Sequence, residues 1–447
     1  MITVGIMTGN SLDGVDAVLT EFSGNKITDI AGVTIPYTKN LRKNMSALNH
    51  EILAAHSNMV KISKTELFKE TLDEYTTLLI RAVNKLLKQS KIKPEQVAAI
   101  GISGQSVGAH NPPSIAKGKE AFTTQIFDAP RIAKETNIPV VYDVRSDDIF
   151  NGGEGAPLAP VHNLHLSYSL TTEGKYPVCF INGGNTANLA IITQGNSIRR
   201  QVIGFDSGAF NHYVDRLSEI FYKKPCDMDG AYGIRGNINT VLLQKLYEHA
   251  ATTPDGSNFY EITPPKSSGP HLYTMLEELK NYPLLKEDIL RTVEYFSAYT
   301  VFLSLRFIPE DVDFPKYFIL FGGGWKNPII YRDFHSVIHG RGIILPQHKA
   351  IARHIWDRLR GKKFAIDLSD GFGINSKYME ARIMADIAYC FLTKTPFTKP
   401  EITGCKKSSI AGIICYPKEN LRRRGRGYTF SRAAKGWSKQ SKPISSE

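Results

Sequence analysis

Apolar positions along the chain fall into two alternating patterns. Short unbroken runs at 2–7, 17–22, 97–102, 140–144, 178–181, 187–192 and 317–321 have the length and composition of buried strands. Between them lie longer stretches whose apolar residues recur at three and four positions. Residues 42–89 carry this spacing, most clearly at Leu78, Leu79, Ala82, Leu86 and Leu87, and predict helix. Residues 129–136 predict a second helix. Residues 376–391 predict a third, with Met379, Ile383, Ile387 and Phe391 every fourth residue. Residues 205–221 read as a turn followed by a helix. This alternation predicts α/β layers. The strand–turn–strand at 2–22 recurs at 178–192, which predicts two related halves with a boundary at 150–170. The expected domains are 1–165, 166–417 and a tail, 418–447, that is rich in Gly, Ser and Arg and lacks apolar periodicity.

Composition narrows the class. The 447 residues are 42% hydrophobic and 22% charged, so a large core is available and disorder is excluded as the main state. The five cysteines, Cys179, Cys226, Cys390, Cys405 and Cys415, form no CxxC pair, which argues against a zinc ribbon and fits a reducing compartment. No apolar run approaches the length of a membrane span. The first residues lack a basic segment followed by an apolar one. A cytoplasmic protein with no membrane contact is expected. The net charge of +12 invites a nucleic-acid reading, but nine Lys and Arg against two Glu in 418–447 account for +7 of it. Basic and aromatic residues do mix at 422–428, as in RNA-contacting segments. A solvated extension is the favoured reading of that tail over nucleic-acid contact.

Three glycine turns carry candidate chemistry. Gly9, Asn10, Ser11, Leu12, Asp13 and Gly14 stand between two predicted strands. Glycine and small polar residues let backbone N–H groups converge on an anion, and Asp13 is suited to hold a metal beside it. A plain hairpin turn explains the same residues. Asn182, Gly183, Gly184 and Asn185 form a second such turn, and Gly322, Gly323, Gly324 and Asn327 a third, directly after a strand. Three such turns in an α/β chain favour a nucleotide site at strand ends. None matches GxxxxGK[ST] or GxGxxG, which excludes a P-loop and a Rossmann fingerprint. Asp206, at an expected strand-to-helix turn, is either a general base or a helix N-cap. Arg145 either binds an anionic or polyhydroxyl ligand or pairs with a nearby carboxylate.

Together these landmarks resemble the anhydro-N-acetylmuramic acid kinase family and its relatives such as levoglucosan kinase. The resemblance runs from residue 2 to about 417. Thr8 to Asp16 is similar to the family's SGTSLDGVD, and Gly101 to Ser106 to its GxHGQT. Asp143 to His162 resembles DFRxxDxxxGGQGAPLVPxxH, with Gly152, Gly153 and Gly155 kept. Asn182 to Leu189 resembles NIGGIANL, Phe205 to Asp215 FDTGPGNxxxD, Cys226 to Gly230 YDKDG, Pro264 to His271 PPKSTGRE, and Gly322 to Pro328 GGGxxNP. Met379, Glu380 and Ala381 are similar to its MEA helix.

The resemblance implies a two-lobed actin/hexokinase/Hsp70-like ATPase fold with a central cleft. It implies an ATP-dependent kinase that opens the 1,6-anhydro ring of anhydro-N-acetylmuramic acid and phosphorylates O6. ATP and Mg²⁺ are the implied cofactors, with the three turns on the nucleotide and Asp13 on the metal. Asp206 is implied as the catalytic base, and Gln105, Asp143, Arg145, Asn211 and Glu380 as sugar contacts. The family's frequent dimers imply a homodimer.

Several positions depart from the pattern. Ser103 replaces a histidine, Phe127 and Asn185 replace glycines, Ala209 and Phe210 replace Pro-Gly, and Pro270-His271 replaces Arg-Glu. Phenylalanine tolerates positive φ poorly, so a rearranged phosphate turn is expected. Two further readings stay open: a kinase of another sugar, and a non-catalytic paralogue.

Overall fold

In the computed structural model, residues 1–9, 12–118, 120–194 and 200–417 are described. Their strands in chain order are β1 (Ile2–Thr8), β2 (Gly14–Ser23), β3 (Lys26–Pro36), β4 (Ala99–Ile102), β5 (Gln105–Ser106), β6 (Gln125–Ile126), β7 (Val140–Tyr142), β8 (Val178–Gly183), β9 (Thr186–Gln194), β10 (Arg200–Ala209), β11 (Tyr317–Phe321), β12 (Ala365–Leu368) and β13 (Ile413–Cys415). The chain divides into two compact units. One is Met1–Leu158 together with the chain from Tyr378 on, and the other is Ala159–Lys377. The first unit is therefore discontinuous in sequence. The basic tail 418–447 lies outside the described residues.

The first unit is built on a sheet of order β13-β7-β4-β1-β2-β3. Strands β1, β2 and β3 form an antiparallel meander, β4 and β7 add in parallel, and β13 closes the edge. Its core joins Val4, Ile6, Leu19 and Ile100 to Leu79, Val83 and Leu86 of the helix Glu66–Ser90. The helical periodicity over 42–89 is real, but the chain breaks it into Lys39–Ala54, Met59–Ile62 and Glu66–Ser90. The reason is capping: the side chains of Asn58 and Thr65 accept the N–H groups of Lys61 and Phe68, and each starts a new helix. The helix Met379–Leu392 lies directly on the sheet. A Cβ on Gly101 would overlap the carbonyl of Met384, and one on Gly5 that of Ala381.

The second unit repeats the plan. Its sheet has the order β10-β9-β8-β11-β12, again an antiparallel meander of three strands followed by two parallel ones. The helix Lys286–Ser304 is buried at every position from Ile289 on. Residues 205–209, which the pattern reads as turn, continue strand β10 through Ala209, and the helix starts only at Asn211. Gly204, Asp206, Ser207 and Gly208 have poor strand propensity, so only pairing with β9 makes them a strand. Among the described residues, no helix is long and apolar enough to cross a membrane.

Because the Met384 carbonyl belongs to helix backbone and cannot swing aside, Gly101→Ala should destabilise the protein by about 3 kcal/mol. Urea unfolding measures this, and a change under about 0.5 kcal/mol would contradict the close approach.

Candidate active site

In the second unit the strand ends bring two of the glycine turns together. Strands β8 and β11 pair in parallel with Phe321 opposite Asn182, so both end at the same level. Gly322 follows with φ +98°. A Cβ there would sit 2.5 Å from Asn182 Oδ1 and 2.7 Å from the Gly183 carbonyl oxygen, so only glycine fits. Gly184 and Asn185 at the hairpin tip accept backbone hydrogen bonds from Asn211 (3.1 Å) and Phe210 (3.0 Å), which fixes the start of the helix Asn211–Tyr222 beneath the tip. Gly324 packs against Phe210 and the Asn211 side chain, whereas Gly323 is exposed with open space around it. The arrangement thus joins Gly183, Gly184, Asn211, Gly322 and Gly324, with one exposed glycine backbone at Gly323.

Asn327 has a supporting position. Its Oδ1 accepts the Ile329 N–H at 2.9 Å and caps the helix Pro328–Ile338, and its Nδ2 donates to Glu294 at 2.8 Å.

The substituted glycines do not distort these turns. Asn185 and Phe210 have negative φ, so neither needs the conformation that phenylalanine resists. Phe210 instead fills the core, with its ring 4.8 Å from that of Trp325, whose indole donates to the Ile181 carbonyl at 3.1 Å. Phe127 is likewise a core residue of the first unit, packed edge-on to Tyr142. The positive-φ strain expected from these substitutions is therefore absent at Asn185 and Phe210.

Asp206 sits on β10 at a register shift opposite β9. It is not a helix cap, since the helix N-cap is Phe210. The residue is 5% exposed, and its Oδ2 accepts the Ser268 N–H (2.8 Å) and the Ser267 hydroxyl (3.2 Å). The Asp206 N–H donates back to the Lys266 carbonyl at 3.1 Å. Segment 266–268 and β10 therefore clasp each other and hold the carboxylate in one orientation.

Lys266 anchors that segment. Its ammonium is buried, donates to the Phe259 carbonyl at 3.1 Å, and lies over the rings of Phe259 and Phe307 at 4.7 and 4.6 Å. Burial pulls its pKa down to about 7, with Arg306 adding to the effect and the carboxylates of Asp206 and Glu261 opposing it.

In the first unit, Gln105 connects the turn after β1 to its surroundings. Its Oε1 accepts the Tyr37 hydroxyl (2.9 Å) and its Nε2 donates to the Gly9 carbonyl (3.4 Å). Leu12 has φ +54°, and its carbonyl accepts Arg42 Nε at 2.9 Å. Asp13 is exposed and Gly14 starts β2; Asn10 and Ser11 lie outside the described residues. Asp143 has φ +62° at the start of the helix Val144–Phe150. Two residues on, Arg145 donates to Ser103 Oγ (3.4 Å) and to the Gly155 carbonyl (3.0 Å). The serine at the family's histidine position thus takes part in holding this arginine. Asp148 supports the same loop by accepting from Gly155 N and from the Thr403 hydroxyl, each at 2.8 Å. Glu380 is half-buried in the first turn of the helix Met379–Leu392.

Sequence reasoning missed Ser267, Ser268 and Glu294. The serines follow a motif lysine, and Glu294 is the one carboxylate between Ile289 and Ser304; both were available signals.

Two units with one strand order, and glycine turns at their strand ends, define the class as an ATPase fold of the actin/hexokinase type. The family model described as anhydro-N-acetylmuramic acid kinase matches residues 1–344. The chain belongs to that family and is a carbohydrate kinase. A Vibrio vulnificus protein named anhydro-N-acetylmuramic acid kinase is 28% identical over 423 residues, covering 93% of this chain and 98% of that one. A Haemophilus influenzae protein of the same name is 29% identical over 439 residues, with the same coverage. The solved structure of (R)-2-hydroxyglutaryl-CoA dehydratase component A from Acidaminococcus fermentans aligns at a TM-score of 0.39 and 11% identity, over 87% of this chain and 97% of that one. That likeness adds nothing to the topology already described.

Lys266 gives a pH prediction. A lysine whose folded pKa lies below its ordinary 10.5 penalises the folded state while it must stay charged, and that penalty fades as pH rises from about 7. The wild type should therefore gain stability relative to Lys266→Met between pH 7 and pH 9. Urea midpoints at both pH values measure it, and a constant difference would refute the buried, depressed lysine.

Proposed function

We propose that this kinase hydrolytically opens the 1,6-anhydro bridge of anhydro-N-acetylmuramic acid and phosphorylates O6, giving N-acetylmuramic acid 6-phosphate and ADP. The observation that carries the reading is the Asp206 carboxylate, held on β10 by Ser267 and Ser268 instead of being spent on a helix cap. In this reading Asp206 takes the proton of a water as that water bonds to C1. The C1–O6 bond breaks with its electron pair going to O6. O6 then takes the γ-phosphoryl group of ATP.

Phosphoryl transfer asks little covalent chemistry of a protein and depends on positioning and charge neutralisation. Gly9 to Gly14, Gly183, Gly184 and Gly322 to Gly324 are assigned to the nucleotide, with Asn327 holding the last turn. Gln105, Asp143, Arg145, Asn211 and Glu380 are assigned to the sugar. Mg²⁺ fits the donor set, because it is commonly held by one or two carboxylates with waters and phosphates, and Asp13 is an exposed carboxylate beside a backbone turn. The ion would neutralise phosphate charge. A cytoplasmic location, where ATP is present, belongs to the same reading.

One observation favours a second reading, a kinase of another anhydrosugar. Pro270 and His271 stand where the family pattern has Arg-Glu, and burial lowers the His271 pKa to about 4, so it carries no charge at neutral pH.

An ADP-release assay with Mg-ATP and 1,6-anhydro-N-acetylmuramic acid tests the first reading. Asp206→Asn should lose ~10²–10⁴-fold in turnover while still binding nucleotide, the range expected for removing a general base. Undiminished turnover in the variant would sink the base assignment. Turnover with levoglucosan but not with the amino sugar would transfer the reading to the second substrate.

A further inference from the structure

The buried helix Lys286–Ser304 carries one carboxyl group with no exposed surface, that of Glu294. Its Oε1 accepts Asn327 Nδ2 at 2.8 Å. Its Oε2 is buried, and among the described residues it faces no hydrogen-bond donor. A Cβ on Gly233 would overlap this oxygen, so the absent side chain there makes room for the carboxyl.

Asp227, a residue 3% exposed, is the neighbouring acid; its carboxylate accepts the N–H groups of Tyr232 (3.0 Å) and Gly233 (2.8 Å). The charged group nearby on Glu294's own helix is Arg291, and it is committed to Asp333 of the helix Pro328–Ile338 through two bonds of 2.6 and 2.8 Å. Two buried carboxylates without a dedicated cation cannot both stay ionised cheaply. A proton on Glu294 removes one charge and supplies the donor that Oε2 lacks.

We propose that Glu294 is a positioning residue of the Gly322–Gly324 turn that works in its protonated form, bonding Asp227 through one oxygen and holding Asn327 through the other. Asn327 in turn caps the helix that follows the turn and donates its N–H to the Gly324 carbonyl at 3.1 Å. Ionising Glu294 sets two buried negative charges side by side and loosens the segment that fixes the cap. Burial, with Asp227 adding to it, raises the carboxyl to about 8 from its ordinary 4.5, so this loosening falls just above neutral pH. The inference rests on the reading of Gly322–Gly324 as a nucleotide-phosphate turn.

The test is the affinity for AMPPNP by calorimetry from pH 6.5 to 9.5, together with Tm over pH 5 to 9, for the wild type and Glu294→Gln. Glutamine keeps the shape, one donor and one acceptor, and cannot ionise. Wild-type affinity should weaken about tenfold from pH 7 to pH 9, the fraction lost if only the protonated form is competent. The affinity of the glutamine variant should change much less. A raised folded pKa means that the wild type loses stability as pH rises from about 4.5 to about 8. The variant lacks that loss, so its Tm advantage should grow over this window and then level.

Equal weakening in both proteins, or wild-type affinity constant from pH 7 to 9, would overturn the proposal. If Glu294→Gln does not fold, wild-type affinity that stays constant from pH 7 to 9 still overturns the proposal. No AMPPNP binding at any pH would overturn the nucleotide reading instead, and the Tm comparison would then decide the shared proton alone.

Discussion

The second unit depends on one backbone contact. Parallel pairing of β11 with β8 ends both strands together, and the chain then turns at Gly322 against the Asn182 side chain and the Gly183 backbone, where no Cβ fits. Because side chains alternate along a strand with a period of two, a one-residue slip of β11 against β8 would turn Phe321 to the wrong face and offset the turns. The other supports follow from that contact. The hairpin tip receives the first N–H groups of the helix at Asn211, Trp325 reaches the Ile181 carbonyl, and Asn327 starts the helix Pro328–Ile338.

The interior of the second unit holds buried ionisable groups with structural tasks. Lys266 holds the segment that clasps Asp206, Glu294 holds Asn327, and Arg291 is matched by Asp333. Low dielectric strengthens satisfied hydrogen bonds and penalises unsatisfied ones, so such groups fix geometry more firmly than apolar packing alone. The first unit uses the same device on a smaller scale. Asp148 grips the loop at Gly155, and the carbonyl of Gly155 holds Arg145. In both units, residues assigned to ligands are thus positioned by buried polar groups that need not touch a ligand.

The departures from the family pattern show why a motif is a weak guide to local conformation. A glycine can be present because φ is positive, because backbones touch, or for neither reason. Gly322 meets the first two conditions and tolerates no replacement, whereas Asn185 and Phe210 occupy positions of negative φ that do not require glycine. Sequence alone does not separate these cases, because φ is set by what the chain packs against.

Local pattern was enough for the strands flanking 9–14 and 182–185, for the helices at 129–136 and 376–391, and for the family. Those features rest on periodicity and on ordered motifs, which are written along the chain. The same pattern did not reveal the breaks at Asn58 and Thr65, the strand nature of residues 200–209, or the return of residues after Tyr378 to the first unit. Nor did it tell a base from a cap at Asp206, or a surface glutamate from a buried one at Glu294. Each of these was decided by partners remote in sequence: β9 for β10, Ser267 and Ser268 for Asp206, and Asp227 and Asn327 for Glu294. Propensity and spacing act over a few residues, whereas burial and hydrogen-bond satisfaction are properties of the folded neighbourhood. For that reason the chain determined what kind of protein this is, and only the tertiary structure decided which groups hold its site in place.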